Sequence, residues 1–373
     1  MTKIIRIGVD TSKTIFVLHG VDAAEQPVLR RKLRRRHFLE FFGRLEPTKI
    51  GMEACGAAHH WARELGAIGH EVVLLPPQYV KPYVKRGKND SADAEAICEA
   101  MSRPTMRFVP VKTAEQQAGL MLAGTLKGLR DRRTQLTNMI RGYAAEFGLV
   151  AAKGLDKIEP LLARIAEEAR LPRLAKQLFA VYAKEYRQLR EQIAKVEAKL
   201  MAWHKSNEQS RRLAEIPGIG PIGATLLTMK VANPRTFRTG RDFAAWLGLT
   251  PKDHSTAGKM RLGVITRAGD EQLRSILVVG ATAAIKQARL GKGKRPRWLV
   301  ELVNRKPPKL AAVALANKTA RVAWKLMVSG ERYDRNRASH REGRGAALIG
   351  GSAPRPSLPP CQTPRELPAP SNA

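Results

Sequence analysis

Several residue types that mark common protein classes are scarce in this chain of 373 residues. It has only 3 cysteines, Cys55, Cys98 and Cys361, whose odd number and spacing fit neither a disulfide framework nor a zinc site, so we expect a reducing compartment. It also lacks the run of about 18 apolar residues that a membrane-spanning helix needs, and its N-terminus is strand-like where a secretion signal would be charged and then apolar. These absences predict a cytoplasmic protein with no membrane partner.

Acidic residues are scarce relative to basic ones. The chain has 33 Asp and Glu against 66 Lys and Arg, a formal net charge of +33. Such an excess favours a polyanionic partner, and nucleic acid is the first candidate. A basic protein without such a partner, or one that meets anionic membranes, is the alternative. A hydrophobic fraction of 43% is sufficient for folded cores, and the length allows two or three domains.

Two of the few acids stand where predicted strands end. Ile4 to Val9 is rich in β-branched residues and predicts a buried strand, which stops on Asp10. Lys49 to Glu53 predicts a later strand that stops on a second acid. A carboxylate in such a place must be solvated, paired or bound to a metal. Asp10 on its own is equally compatible with a surface acid or a turn.

The order of the predicted elements indicates the fold class of residues 1–112. Strand patterns come first and then alternate with helical ones, which predicts a mixed α/β sheet covered by helices. The further strands are predicted at Thr14 to Gly20, Val28 to Leu33 and His70 to Leu75, and the helices at His37 to Leu45 and Ala58 to Ile68.

Two more acids begin a predicted helix. A turn at Gly87, Lys88 and Asn89 leads into a helix near Asp90, and Asp93 is three residues further, so both share one face. Helix capping by Asp90 and a favourable first-turn position for Asp93 are the alternatives. Mg²⁺ prefers such oxygen ligands, and two Mg²⁺ ions bound there would assist phosphodiester chemistry. The four candidate ligands, which suit a ribonuclease H-like nuclease or recombinase core, are Asp10, Glu53, Asp90 and Asp93.

Residues 113–208 have a different periodicity. Thr113 to Phe147 and Leu174 to His204 repeat apolar residues at intervals of three and four, with one break at Arg133. The link between them contains glycine and proline. The pattern predicts two long helices that form an antiparallel coiled-coil arm or a dimerisation element, and packing within one subunit is the alternative.

Residues 209–328 contain two polar motifs. The turn Pro217-Gly218-Ile219-Gly220 before an apolar helix is typical of a helix-hairpin-helix, which binds a DNA phosphate backbone. Ser255 lies in a polar stretch where a hydroxyl beside cations can act as a nucleophile in phosphoryl transfer, and an ordinary turn serine is the alternative. The neighbouring cations are Lys259, Arg261 and Arg267. A basic loop is expected at Lys286 to Arg297, and 329–373 reads as a disordered tail.

Taken together, these motifs resemble one family over residues 4–327. They resemble the DEDD-type insertion-sequence transposases, which have a RuvC-like N-terminal domain with a ribonuclease H fold and a C-terminal transposase domain. The segments that carry the resemblance begin at Gly8, Gly51, Lys88, Pro217 and Leu247, and they read GVDTSK, GMEACG, KNDSADA, PGIG and LGLTP.

The resemblance implies specific roles. Asp10, Glu53, Asp90 and Asp93 would bind catalytic Mg²⁺, and Ser255 would attack DNA and form a covalent phosphoserine. Family members usually have two glycines before the lysine of this segment. Here the first is Ala257, which leaves Thr256 as the other nucleophile.

The resemblance also implies partners. An element-encoded guide RNA would pair with donor and target DNA, and the chain would form a homodimer or homotetramer joined by the coiled coil. Two other functions stay open. One is a RuvC-like junction nuclease in which water attacks, and the other is a non-catalytic nucleic-acid-binding protein.

Overall fold

The N-terminal part of the chain is a mixed five-stranded sheet with the strand order β3-β2-β1-β4-β5. The structure is a computed structural model that describes residues 3–85, 90–256, 258–290 and 297–334. β1 pairs antiparallel with β2 and parallel with β4. The strands are β1 (Arg6–Asp10), β2 (Ile15–Val21), β3 (Pro27–Arg34), β4 (Lys49–Glu53) and β5 (Glu71–Leu75).

This topology places the two strand-terminal acids at one edge. Because β1 and β4 are parallel neighbours, with Val9 opposite Met52, their carboxyl ends meet, and Asp10 and Glu53 leave the sheet side by side. The predicted mixed α/β class is confirmed, and the predicted strand over Lys49–Glu53 has the observed bounds.

Helices cover the two faces of the sheet. One face packs on aromatic rings, with the centroid of Phe16 4.6 Å from that of Phe38 and 5.2 Å from that of Trp61. The helices of this part are α1 (Phe38–Gly43), α2 (Ala58–Ala67), α3 (Pro77–Val80) and α4 (Asp90–Ala100). The last begins at Asp90 as expected, whereas the predicted turn at 87–89 lies outside the described residues.

Two long helices, α5 (Ala114–Ala145) and α7 (Arg173–Ser206), run antiparallel within one chain. Their direction follows from two cross-helix pairs: Arg130 meets Glu197 at 2.6 Å, and the ring of Tyr143 stacks on that of Tyr182. The expected Gly/Pro link between them contains a helix that the sequence reading missed, α6 (Ile158–Glu167). Pro160 lies in its first turn, where the missing N–H has no helical partner to lose.

The C-terminal part is mostly helical around one apolar core. The stretch around Ser255, expected to be irregular, forms a small antiparallel hairpin. A short helix also begins at the end of the expected basic loop, of which 291–296 lie outside the described residues, as does the tail beyond Asp334. The elements are α8 (Glu208–Ala214), α9 (Pro221–Lys230), α10 (Gly240–Trp246), β6 (Pro251–Asp253), β7 (Leu262–Ile265), α11 (Glu271–Arg289), α12 (Arg297–Arg305) and α13 (Pro308–Ser329).

No helix within the described ranges combines the length and the apolar character that crossing a membrane requires.

Candidate active site

A glycine on β1 lets α4 lie directly on the sheet. A Cβ atom at Gly8 would stand 2.3 Å from the carbonyl oxygen of Ala94 and 2.8 Å from Cβ of Cys98, so no larger residue fits this crossing. Side chains alternate along a strand, and Asp10 therefore shares the face of Gly8. The close crossing brings the first turn of α4 to the end of β1.

Three carboxylates converge at this point. One oxygen from each of Asp10, Asp90 and Asp93 lies within 4.8 Å of the others. Asp90 and Asp93 are one helical turn apart on α4, and Asp10 completes the group from β1. Burial raises the pKa of Asp10, and the negative charges of Asp93 and then Asp90 raise it further.

Glu53, the fourth predicted ligand, lies beside this group without belonging to it. It ends β4, next to β1, but the close group that the structure assembles contains only the three aspartates. Burial raises the pKa of Glu53, followed by the charges of Asp10 and Asp93, which places it within electrostatic reach of both. The predicted convergence is therefore tight for three acids and looser for Glu53.

The donor set of the three aspartates suits a hard divalent cation. All three offer carboxylate oxygens, which Mg²⁺ and similar ions prefer. The raised pKa of Asp10 shows that the bare cluster is electrostatically unfavourable, and a bound cation would relieve that repulsion.

Arg6, which was not among the residues predicted from the sequence, supports the acids from the same face of β1. Arg6 donates a hydrogen bond from Nε to the carbonyl oxygen of Cys98, 3.0 Å away on α4, and forms an ion pair with Glu25. Its guanidinium thus joins the strand to the helix at the far end from Asp10. The available signal was an arginine inside an otherwise apolar strand, two residues before a glycine.

Ser255 stands on an exposed hairpin loop. Its backbone N–H donates to Oδ1 of Asp253 at 2.8 Å, and its Oγ accepts a hydrogen bond from the backbone N–H of Arg261 at 3.0 Å. The hydroxyl and then the N–H of Ser255 lower the pKa of Asp253. The serine is thus held by local contacts, with its side chain open to solvent.

Local contacts also fix the hairpin to the C-terminal core. Arg274 of α11 donates from Nη1 to the carbonyl oxygens of Leu247 and Ala268, both at 3.1 Å, which clamps the two ends of the segment. The predicted cations Lys259, Arg261 and Arg267 are all exposed around it. Ala257 lies outside the described residues.

The hairpin and the acidic group are separate within the described residues. No hydrogen bond or ion pair there joins Ser255 or its neighbouring cations to Asp10, Asp90 or Asp93. Within these residues no direct bond couples the serine to the acids.

The glycine turn before α9 has a packing role. Gly218 has φ +89°, and a Cβ there would stand 3.0 Å from the carbonyl oxygen of Gly280, so α11 crosses the turn backbone to backbone. Ile219 is buried in the C-terminal core. Pro217 and Gly220 are exposed, so phosphate binding by this turn stays a prediction that rests on these two residues and the start of α9.

Comparison with known families agrees with this arrangement. The sequence model of a DEDD-type IS110 family, described as a transposase, matches residues 7–147, and that of the IS116/IS110/IS902 transposase family matches residues 210–295. A putative transposase of Sinorhizobium fredii is 65% identical over 332 residues, which cover 89% of this chain and 86% of that protein.

Two further relatives match this chain over nearly their whole length. A probable family 20 transposase of Pseudomonas aeruginosa is 46% identical, over 86% of this chain and 96% of its own. The transposase for insertion sequence element IS1328 of Yersinia enterocolitica is 37% identical, over 88% of this chain and 98% of its own. The chain belongs to the DEDD-type family of insertion-sequence transposases. It is thus a DNA transposase, an enzyme that acts on phosphodiester bonds.

Family membership explains the composition and the acidic group. DNA is the substrate of a transposase, which accounts for the net charge of +33. A DEDD-type domain indicates the use of a divalent metal, and the three converging aspartates are the matching cluster. The α/β N-terminal part and the helical C-terminal part are compatible with a RuvC-like transposase.

Proposed function

We propose that this transposase cleaves and exchanges DNA strands by attack of Ser255 on a phosphodiester, assisted by Mg²⁺ at the acidic group. The observation that carries the proposal is the convergence of three carboxylates within 4.8 Å at the end of β1. Asp10, Asp90 and Asp93 would hold the cation, and Glu53 would complete the set when DNA is bound. The cation would stabilise negative charge on the phosphate oxygens.

The serine step conserves the energy of the broken bond. Oγ of Ser255 loses its proton and forms a bond to phosphorus, while the bond from phosphorus to one sugar oxygen breaks and that oxygen gains a proton. Attack on the phosphoserine by a hydroxyl of another strand reverses these changes and rejoins the DNA. Lys259 and Arg261, both exposed beside the serine, would stabilise charge on the phosphate.

We also propose that Ser255 meets acids from another copy of the chain. The separation of the hairpin from the acidic group favours a homodimer or homotetramer, in which the antiparallel helices α5 and α7 would form the coiled-coil contact between protomers. Exposed apolar side chains at one end of this helix pair support that contact: Tyr143, Phe147, Val150, Leu174, Leu178 and Val181.

Further nucleic-acid contacts follow from the family and from exposed groups. An element-encoded RNA would guide the choice of donor and target DNA, and the basic excess would accommodate both polymers. Pro217, Gly220 and the start of α9 would contact a phosphate backbone, with Gly218 and Ile219 shaping the turn in a helix-hairpin-helix. Arg267, at the base of the hairpin, would contact the same strand as Lys259.

A RuvC-like nuclease that uses water is the second candidate function. The specific observation in its favour is that the acidic group is assembled within one chain, whereas Ser255 is not bonded to it. In that case the hydroxyl of Ser255 would be unnecessary for cleavage.

The decisive experiment looks for a covalent adduct between protein and DNA. The protein is incubated with labelled DNA of its element ends, the element transcript and Mg²⁺, and is then denatured and separated. Ser255→Ala should abolish the adduct, whereas Thr256→Ala should retain it. Cleavage that survives Ser255→Ala without an adduct would support the water-using nuclease.

A substitution in the acidic group tests the proposed metal ligands in the same assay. Asp10→Asn should abolish the adduct although Ser255 is intact, because the cation-binding carboxylate is lost. Asp131→Asn on exposed α5 removes the same charge and should have no such effect. Adduct formation by Asp10→Asn at the rate of the unchanged protein would contradict the role of the acidic group.

A further inference from the structure

A solvent-open cavity of about 320 Å³ lies on the helical arm, far along the chain from the acids and the serine. It is bounded by α5, α6 and α7 together with the short turn before α6, and Asp156 and Arg190 of its lining are exposed. Its lining residues are Arg133, Leu155, Asp156, Glu159, Tyr186 and Arg190. The volume is roughly ten times the ~30 Å³ that one water occupies in the liquid, so it is large enough for a polar ligand.

Arg133 is the unusual residue of this lining. It interrupts the apolar repeat of α5, where Leu129 and Leu136 on either side are buried. Its Nε atom is enclosed and has no hydrogen-bond partner among the described residues. A buried guanidinium nitrogen without a partner is costly, so its presence in a half-buried side chain beside the apolar stripe of α5 points to a ligand that is missing from the bare chain.

The two acids of the lining are already neutralised by other cations. Glu159 accepts from Arg187 and Arg190, each at 3.1 Å, and Asp156 pairs with Lys157 at 2.9 Å. Neither acid therefore serves Arg133. The two arginines and two carboxylates of the lining balance each other, and Lys157 and Arg187 beside it leave the neighbourhood with two positive charges in excess.

The remaining lining adds a buried tyrosine and a second arginine. Tyr186 is buried and donates from its hydroxyl to the carbonyl oxygen of Leu155 at 3.3 Å. The guanidinium of Arg190 lies 5.8 Å from the centre of that ring, which holds it at the cavity wall. Two arginines at one cavity can bind the oxygens of a single phosphate in a bidentate manner.

We propose that this cavity binds a phosphate group of a nucleic-acid strand through Arg133, with Arg190 as the second arginine. The helical arm would then contact nucleic acid directly, in addition to its proposed role between protomers. A nucleic-acid strand is the favoured source because the chain is a DNA transposase with a large basic excess. A free nucleotide offers the same phosphate chemistry. The site requires neither Mg²⁺ nor Ser255.

The test compares Arg133→Met with Arg132→Met. Both variants remove one positive charge from the same turn of α5, but Arg132 is on the exposed face. Binding of a fluorescent single-stranded oligonucleotide is measured by anisotropy in the presence of a chelator, so that the acidic group does not contribute. We expect Arg133→Met to weaken binding about tenfold and Arg132→Met about twofold, because only the former loses an enclosed charge-assisted contact.

Thermal unfolding with inorganic phosphate gives a second measurement. Phosphate should raise the melting temperature of the unchanged protein and of Arg132→Met, but much less that of Arg133→Met. Without phosphate, Arg133→Met should melt at a slightly higher temperature than the unchanged protein, because a buried nitrogen without a hydrogen-bond partner is gone. Arg133→Lys keeps the positive charge but lacks the paired N–H donors of a guanidinium, so its affinity for the oligonucleotide should be intermediate. This variant also tests the proposal if Arg133→Met does not fold.

The outcomes separate the alternatives. Adenosine monophosphate that binds as tightly as the strand, and is lost in Arg133→Met, would identify a free nucleotide as the source of the phosphate. Equal losses in Arg133→Met and Arg132→Met, or a phosphate effect that persists in Arg133→Met, would overturn the proposal. None of these results depends on adduct formation by Ser255, which is measured separately.

Discussion

The acidic group and the serine hairpin are built in opposite ways. The acids lie at a junction of strand and helix, with Asp10 and Asp93 half-buried and Asp90 exposed, where Gly8 allows α4 to touch β1 and burial raises the pKa of Asp10. Ser255 is exposed on a two-stranded ribbon and is held by contacts within its own loop. A charged cluster needs a rigid frame that holds like charges together, whereas a nucleophile that must reach a separate site needs to be accessible.

Gly8→Ala should have the largest effect, because it should disrupt the acidic group and leave the serine hairpin intact. The added methyl group would overlap the backbone of α4, move Asp90 and Asp93 away from Asp10, and cost about 1–3 kcal/mol of stability. We expect the adduct and the stabilisation by Mg²⁺ to be lost together, although Ser255 and its loop are unchanged. Melting temperatures with and without Mg²⁺, and the adduct assay, measure this.

Gly56→Ala is the matched control for that change. Gly56 lies three residues after Glu53, and a Cβ there would have no neighbour within 4 Å. The variant should keep both the response to Mg²⁺ and the adduct. If Gly8→Ala kept them as well, the close crossing of α4 would not be what assembles the acidic group.

Asp253→Ala tests the serine hairpin in the same way and should have a smaller effect. The carboxylate of Asp253 accepts the backbone N–H of Ser255, so its loss should leave the serine less well positioned and slow adduct formation about tenfold. The hairpin is exposed, and the melting temperature should hardly change. A variant that reacts at the unchanged rate would show that the loop needs no such support.

His59 lies outside both regions, where the sheet domain joins α5, and should give the smallest effect. Its Nδ1 accepts the backbone N–H of Lys112, which begins the connection to α5, and burial followed by the charges of Lys112 and Arg63 lowers its pKa to about 4. The unfolded chain takes up a proton near pH 6.5. The neutral histidine therefore contributes stability that is complete above about pH 6.5 and is lost as the pH falls through about 4.

The pH dependence of unfolding tests this assignment. In denaturant titrations, His59→Gln should lose less stability than the unchanged protein between these two pH values. His60→Gln, the exposed neighbour on α2, should behave like the unchanged protein. Parallel pH profiles for His59→Gln and the unchanged protein would contradict the role of the buried ring.

The sequence predicted the elements that carry a local signal. The strand Lys49–Glu53 and the start of α4 at Asp90 were read correctly because β-branched runs and helix-start acids act over a few residues. The helix α6 was missed because Gly154 and Pro160 obscured its apolar spacing. The hairpin around Ser255 was missed because its strands are short and exposed, so no burial alternation marks them.

The identity of the candidate metal-binding acids is therefore a property of the sequence, whereas their grouping is a property of the fold. The chain order of Asp10, Glu53, Asp90 and Asp93, together with the PGIG and LGLTP segments, predicted the family. Only the tertiary structure shows three of them within 4.8 Å, with Glu53 beside them and Ser255 apart. The physical reason is that distances between residues far apart in sequence depend on which backbones can touch, and here a hydrogen atom in place of a side chain at Gly8 decides it.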